Sequence, residues 1–309
     1  MMELKDIKKV LILGAGTMGQ QIGFVCAMHG YNVTLYDISD DVLKTSLKRM
    51  EKLGASFFVP TGRMKAEQLQ EVMGRITTTS DPQAAAKDAD IISESVPENP
   101  KIKAKVFAEF DKLCPERTIF TTNTSLLMPS TFAGATGRPE KLVALHFHDA
   151  RMTNVVDVMP HPGTNPAVTQ LVHDFAVSIG QIAIMLHRES NGYVYNAMIA
   201  NLLTTAMTLA TTDVAGIEDI DRAWMGVTRM PIGPFGIMDQ MGLQTVWTVT
   251  DYLAHQAQGI QADQIRANAD FVKQYVDRGE LGAKTKKGFY SYPMPAYTQP
   301  GFLAGKTKK

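Results

Sequence analysis

His146 and Asp157 are the pair in this chain whose types and placement could move a proton. They lie on two short apolar runs, Leu142 to Phe147 and Val155 to Met159, joined by too few residues for a helical crossover, so the runs are expected to pair antiparallel. A hairpin turning near Arg151 and Met152 sets His146 opposite Asp157. A carboxylate facing an imidazole fixes its tautomer and favours its use as a base. Such a base can take a hydroxyl proton while hydride leaves the same carbon, which is the division of labour in oxidation of a secondary alcohol. His148, two residues further on and directed to the same face, is the rival for that role. His29, His173, His187 and His255 fall on helix or strand patterns elsewhere and read as structural.

A hydride needs an acceptor, and the start of the chain supplies a place for one. The apolar run Val10 to Leu13 empties into Gly14-Ala15-Gly16-Thr17-Met18-Gly19. In a G-x-G-x-x-G turn the first glycine permits the tight bend and the second lets the backbone approach a pyrophosphate. The third lets the following helix sit close on the sheet. A helix beginning near Thr17 points its free N–H groups and positive dipole end at the phosphates. The next strand, Asn32 to Tyr36, ends in Asp37, about twenty residues beyond the turn, where a carboxylate accepts from both ribose hydroxyls and repels a 2′-phosphate. The implied cofactor is NAD.

The elements that must position these residues alternate. Asp40 to Leu53 has helical spacing, Gly54 to Gly62 interrupts it, and Met64 to Met73 is helical again. Arg75 to Thr79, Ile91 to Val96 and Thr118 to Asn123 read as strands, separated by a short helix opened by Pro82 and an amphipathic helix over Lys101 to Leu113. This predicts an α/β fold, a Rossmann-type mostly parallel sheet with helices on both faces and ligands beyond the carboxyl ends of the strands. Strand composition stops after Ile182 to Leu186, and Gly192 to Gly279 is rich in Ala, Leu, Met and Gln at helical spacing. The expected division is therefore a cofactor-binding domain over 1–189 and an all-α C-terminal domain over 190–309. Val194 to Ala210 is apolar round most of its circumference. It is read either as a dimer interface, which makes a homodimer the expectation, or as the central helix of the bundle.

The 309 residues are 45% hydrophobic and 20% charged, an ordinary globular balance, and 31 basic residues match 31 acidic ones. With no net charge, no global field argues for nucleic acid or an anionic membrane, and no apolar run approaches the length of a membrane span. Two cysteines, Cys26 and Cys114, do not make a disulfide framework, and Met1 to Lys9 runs directly into the first strand without a leader pattern. The expectation is a cytoplasmic protein. No set of residues is read as metal ligands.

Taken together, the chain resembles the L-3-hydroxyacyl-CoA dehydrogenase family over nearly its whole length. The matching stretches are the opening glycine turn, Ser93-Glu94-Ser95-Val96-Pro97-Glu98-Asn99, Asn123-Thr124-Ser125, Leu145-His146-Phe147, Gly233-Pro234-Phe235-Gly236 and Gly282-Ala283-Lys284-Thr285-Lys286-Lys287-Gly288-Phe289-Tyr290. The resemblance implies that His146 is the catalytic base and that Asp157 stands where the family has its partnering glutamate. It implies further that Ser125 and Asn196 contact the substrate oxygens, that Glu98 and Lys103 border the nicotinamide side of NAD, and that Asn123 meets the nicotinamide itself. The substrate it implies is an acyl-CoA.

The chain departs from the family in two places. His146-Phe147-His148-Asp149-Ala150 replaces the usual His-Phe-Phe-Asn-Pro, and the extra charge of Asp149 is expected to disfavour a substrate oxyanion. Leu53 and Pro60 stand where the family holds the CoA tail with Ser and Lys, while Arg49, Lys52, Arg63 and Lys65 are read as a solvated face in preference to a phosphate site. A relative acting on a free 3-hydroxy acid, as gulonate and carnitine dehydrogenases do, stays open beside the acyl-CoA reading. So does a weakly active, crystallin-like dinucleotide-binding protein.

Overall fold

The computed structural model describes residues 2–305. The chain forms two compact units that divide between Tyr195 and Asn196, where the sequence reading places the division after residue 189.

In the first unit, β1 (Lys9–Leu13), α1 (Thr17–Met28) and β2 (Asn32–Tyr36) make the opening parallel crossover. α2 (Asp40–Leu53), α3 (Leu69–Gly74), β3 (Ile76–Thr79), α4 (Pro82–Ala86), β4 (Ile91–Glu94), α5 (Pro100–Leu113) and β5 (Ile119–Thr122) continue the alternation. The unit then adds β6 (Leu142–Phe147), β7 (Val155–Pro160), α6 (Pro166–Ser178) and β8 (Ile182–Met185). Among the described residues the strands form one eight-stranded sheet in the order β3-β2-β1-β4-β5-β6-β7-β8. Every neighbouring pair is parallel except β6 with β7. Strands covered on both faces are buried along almost their entire length, as β1, β4, β5 and β6 are, with apolar residues at their starts and polar ones toward the carboxyl ends of β4, β5 and β6.

Local chemistry sets where the helices start. α4, α5 and α6 each open on an Asx-Pro pair, with Asp81, Asn99 or Asn165 accepting from first-turn N–H groups and the following proline filling a position that needs no donor. The expected break after Leu53 is instead one widened π-helical turn, Gly54–Phe58, continuing from α2. The turn carries Phe58 onto the ring of Phe24, with centroids 5.2 Å apart, and brings Gly54 so close to α1 that a Cβ there would lie 2.6 Å from Phe24. Burial of an aromatic pair thus overrides the helix-breaking composition.

The second unit holds nearly all of α7 (Tyr195–Thr211), together with α8 (Ile217–Thr228), α9 (Pro234–Met241), α10 (Leu243–Gln256) and α11 (Ile260–Asp277). Its core gathers Leu203, Met207, Met225, Phe235, Met238, Leu243 and Val272. Leu203, Ala206 and Met207 are the positions of α7 buried within the single chain, while Met198 is 62% exposed.

Two buried aspartates hold this unit's turns. Asp221, on α8, accepts from the N–H groups of Phe235 (2.8 Å) and Gly236 (3.0 Å) and from the Tyr290 hydroxyl (2.9 Å). Asp239, on α9, accepts from the N–H groups of Phe289 and Tyr290, both at 2.9 Å, and from the Tyr292 hydroxyl at 3.0 Å. A Cβ at Gly233 would lie 2.3 Å from Asp221, and one at Gly288 2.1 Å from Asp239. The Gly233-Pro234-Phe235-Gly236 and Gly288-Phe289-Tyr290 stretches are therefore backbone seats for carboxylates. Burial pushes the Asp221 carboxyl up to about 6 against the pull of its backbone donors. Replacing Asp239 by Ala orphans three donors, each costing roughly 1–3 kcal/mol, and is expected to lower the unfolding free energy by about 3 kcal/mol or more in a urea titration.

Candidate functional site

The glycine turn has the geometry a dinucleotide needs. Gly14 has φ +102°, and a Cβ on it would lie 2.7 Å from the Ser95 carbonyl oxygen; one on Gly19 would lie 1.9 Å from the Gly14 carbonyl oxygen. The first and third glycines are thus demanded by the turn and by the helix lying against it. A Cβ on Gly16 would meet nothing within 4 Å, and α1 starts there without a side-chain cap, which leaves open space over uncapped N–H groups. Asp37 is held at the end of β2 by the Ala15 N–H (2.9 Å) and the Ser39 N–H (3.3 Å). Beyond the ends of β4 and β5 lies a cavity of about 340 Å³ walled by Met18, Ser95, Val96, Glu98, Lys103, Asn123, Ser125 and Leu126. Ser95 Oγ is enclosed there with no hydrogen-bond partner among the described residues. Turn, carboxylate and cavity fit a bound NAD.

β6 and β7 meet in the register expected from the sequence, His146 opposite Asp157. His146 Nδ1 lies 3.1 Å from Asp157 Oδ2, and Nε2 lies 3.2 Å from Ser125 Oγ. Ser125 also lines the cavity, so the imidazole has a carboxylate behind it and a hydroxyl leading to the cofactor side in front. Tyr193 stacks on the ring, centroids 4.5 Å apart and planes 11° from parallel, and its hydroxyl donates to the Thr124 carbonyl at 2.6 Å. Burial drives the Tyr193 phenol far above its ordinary range, so it stays a neutral donor. His148 resolves as a neighbour of the dyad: its Nε2 is enclosed 3.3 Å from Asp157 Oδ2, and its ring meets His146 edge to face at 4.7 Å. The nitrogen that would act as a base points at the carboxylate, and the Ser125 contact belongs to His146.

Glu98 and Lys103 line the cavity, but their charged groups are committed to the protein. Lys103, only 1% exposed, lies 2.7 Å from Glu94 and 3.2 Å from Glu98. Glu94 also accepts from the Thr122 hydroxyl (2.6 Å) and the Val96 N–H (2.8 Å). Glu98 takes the Ser125 and Leu126 N–H groups at 3.0 Å and the Thr124 hydroxyl. Burial pushes Glu98 up, but the Thr124 hydroxyl, the Lys103 ammonium and the Leu126 N–H outweigh it and hold the carboxyl below its ordinary range. For Glu94, burial prevails over Lys103 and raises it. This network fixes the loop that carries Ser125. Asn123 is likewise tied, its Oδ1 accepting from the Phe147 N–H at 2.7 Å, which leaves its amide hydrogens for the cavity.

Glu94, Thr122, Thr124 and Tyr193 escaped the sequence reading. The Ser93-Glu94-Ser95 match was a signal for Glu94, whereas nothing local marks Tyr193. Asn196 is the second residue of α7 and belongs to the second unit. The expected extra charge at Asp149 is met by Arg151, whose Nε sits 2.8 Å and 3.1 Å from its two oxygens and whose backbone N–H donates at 3.0 Å. The side-chain bonds from Arg151 hold Asp149 below its ordinary range, and the pair carries no net charge toward the site.

Burial pushes Asp157 up, but the neighbouring imidazoles of His146 and His148 overcome it and bring the carboxyl down to about 2 from an ordinary value of 3.8. A depressed acid contributes stability that is present above the unfolded value and lost as pH falls through the folded one. On the order of 2 kcal/mol should therefore disappear between about pH 4 and pH 2. Asp157→Asn is expected to flatten that part of an acid-unfolding profile followed by circular dichroism.

The comparisons with known proteins show the family. Residues 9–190 match the profile of the 3-hydroxyacyl-CoA dehydrogenase NAD-binding domain, and residues 192–292 that of the 3-hydroxyacyl-CoA dehydrogenase C-terminal domain. The chain is 29% identical to the mitochondrial hydroxyacyl-coenzyme A dehydrogenase of Sus scrofa, over 93% of this chain and 91% of that one. It is 30% identical to the 3-hydroxybutyryl-CoA dehydrogenase of Clostridioides difficile, over 92% and 99%. A solved structure described as a diketoreductase with substrate-directed dual catalysis of dicarbonyl compounds superposes with a TM-score of 0.86 at 38% identity, covering 94% of this chain and all of that one. A chain whose NAD turn, strand-end carboxylate and successive domains all match in this way belongs to the 3-hydroxyacyl-CoA dehydrogenase family.

Proposed function

We propose that the protein interconverts an L-3-hydroxyacyl-CoA and its 3-oxoacyl-CoA, with His146 as the group that takes and returns the hydroxyl proton. The observation that carries this reading is the alignment of Asp157, His146 and Ser125 through the two nitrogens of one ring, with Ser125 on the wall of the NAD-side cavity. Asp157 accepts the Nδ1 proton and so leaves the Nε2 lone pair facing Ser125. A substrate hydroxyl within hydrogen-bond reach of both Ser125 Oγ and His146 Nε2 gives its proton to Nε2; in the opposite direction the same nitrogen protonates the carbonyl oxygen. Ser125 orients that oxygen, and Tyr193 keeps the imidazole plane fixed during the transfer. Bound NAD supplies the hydride acceptor or donor.

A second reading, reduction of a free 3-oxo or dicarbonyl compound, is favoured by Leu53 and Pro60 at the CoA-tail positions and by the likeness to the diketoreductase structure. We further propose a cytoplasmic homodimer, supported by the exposed apolar side chains of Met198 on α7 and of Tyr252 and Leu253 on α10 and by two buried, unpaired thiols.

The test is NADH consumption with acetoacetyl-CoA, free acetoacetate and a small dicarbonyl ester. Preference for the thioester supports the first reading and preference for an unesterified compound the second. His146→Gln is expected to lower kcat roughly 10²–10⁴-fold. A variant as fast as the wild type would remove His146 from the mechanism.

A further inference from the structure

One carboxylate oxygen in the site is shared by two imidazoles. Asp157 Oδ2 lies 3.1 Å from His146 Nδ1 and 3.3 Å from His148 Nε2, and among the described residues these three side chains form a group whose donor atoms all lie within 4.8 Å of one another. Two nitrogens and one carboxylate oxygen are a donor set for a borderline cation such as Zn²⁺ or Co²⁺. In a tetrahedral zinc site with bonds of about 2.0–2.1 Å, neighbouring donors sit roughly 3.3 Å apart. Two of the separations already have that value. The three residues come from β6, the turn after it and β7, so the paired strands hold the donors in place. Asp157 and His146 are buried and the side chain of His148 is 15% exposed, with its Nε2 enclosed and without a hydrogen-bond partner among the described residues.

We propose that His146, His148 and Asp157 form a reversible transition-metal site whose occupation switches the dehydrogenase off. The switch is a change of tautomer. In the working ring Nδ1 carries the proton, donates it to Asp157 and leaves Nε2 as the base. A cation bound at Nδ1 needs the lone pair there, so the ring proton moves to Nε2 and no base remains on the side facing Ser125. No proton is gained or lost by the neutral ring and no redox step is involved. The fourth ligand is water. His148 is the residue that makes the site, since it replaces the phenylalanine of the family's usual His-Phe-Phe run.

The binding half stands on geometry alone, and the inhibitory half rests on His146 being the proton carrier. The experiment separates them. Visible absorption of Co²⁺ added to the NAD-free protein is expected to show one tetrahedral cation per chain, lost in both His148→Phe and His148→Gln, the latter keeping a polar side chain beside Asp157. Turnover of the wild type in the presence of NADH is expected to fall as Zn²⁺ is added, with both variants needing about tenfold more Zn²⁺, or higher, for half-inhibition. Equal Co²⁺ spectra in wild type and variants, or wild-type turnover indifferent to Zn²⁺, would overturn the proposal. Co²⁺ binding that depends on His148, in a protein that consumes NADH with none of the 3-oxo substrates, would uphold the metal site while removing the proposed dehydrogenase reaction.

Discussion

The antiparallel pairing of β6 with β7 is the constraint on which the site depends. Every other neighbouring pair in the sheet is parallel, and a parallel partner reached through a crossover would place a different residue beside His146. The short turn returns the chain at once, with Asp157 facing His146 across a non-slipping register. Because β6 is buried on both faces, a slip of one residue would carry Leu145 and Phe147 to the face that holds Ala144 and His146 and turn His146 off the cavity side. Hydrophobic burial therefore enforces the alignment of two polar side chains that could not enforce it themselves.

On the other flank of the imidazole, charge does the positioning. Lys103 lies between two carboxylates in a nearly closed environment, and the arrangement is sustained only because each group is also hydrogen-bonded to backbone or hydroxyl neighbours. The result is a rigid link from α5, through the end of β4, to the loop bearing Ser125. Glu98 and Lys103 thus serve the cavity by shaping it, with their charges already spent on one another.

Two carboxylates of the second unit rest on the same physics. Asp221 and Asp239 are buried carboxylates that collect backbone donors from the start of α9 and from residues 289 and 290, which explains why glycines flank those contacts. Stretches that carry family resemblance are in this case turn seats for buried carboxylates.

Much of this architecture is local and so was legible in the residues. The glycine turn, the strand-end Asp37, the Asx-Pro helix starts and the hairpin register depend on neighbours in sequence, on backbone φ and on short loops. Their chemistry can be read without coordinates. The widened turn at Gly54–Phe58 was not legible, because it answers to Phe24 on another helix. Nor were the pairing of Lys103 with Glu94 or the stacking of Tyr193 on His146. The neutralisation of Asp149 by Arg151 is close in sequence, yet it depended on a turn conformation that composition does not specify. The residue types thus determined the fold, the cofactor and the placing of His146 opposite Asp157. Only the tertiary structure decided which buried charges meet and that one oxygen of Asp157 faces two histidines, since those contacts exist only once distant segments have been packed together.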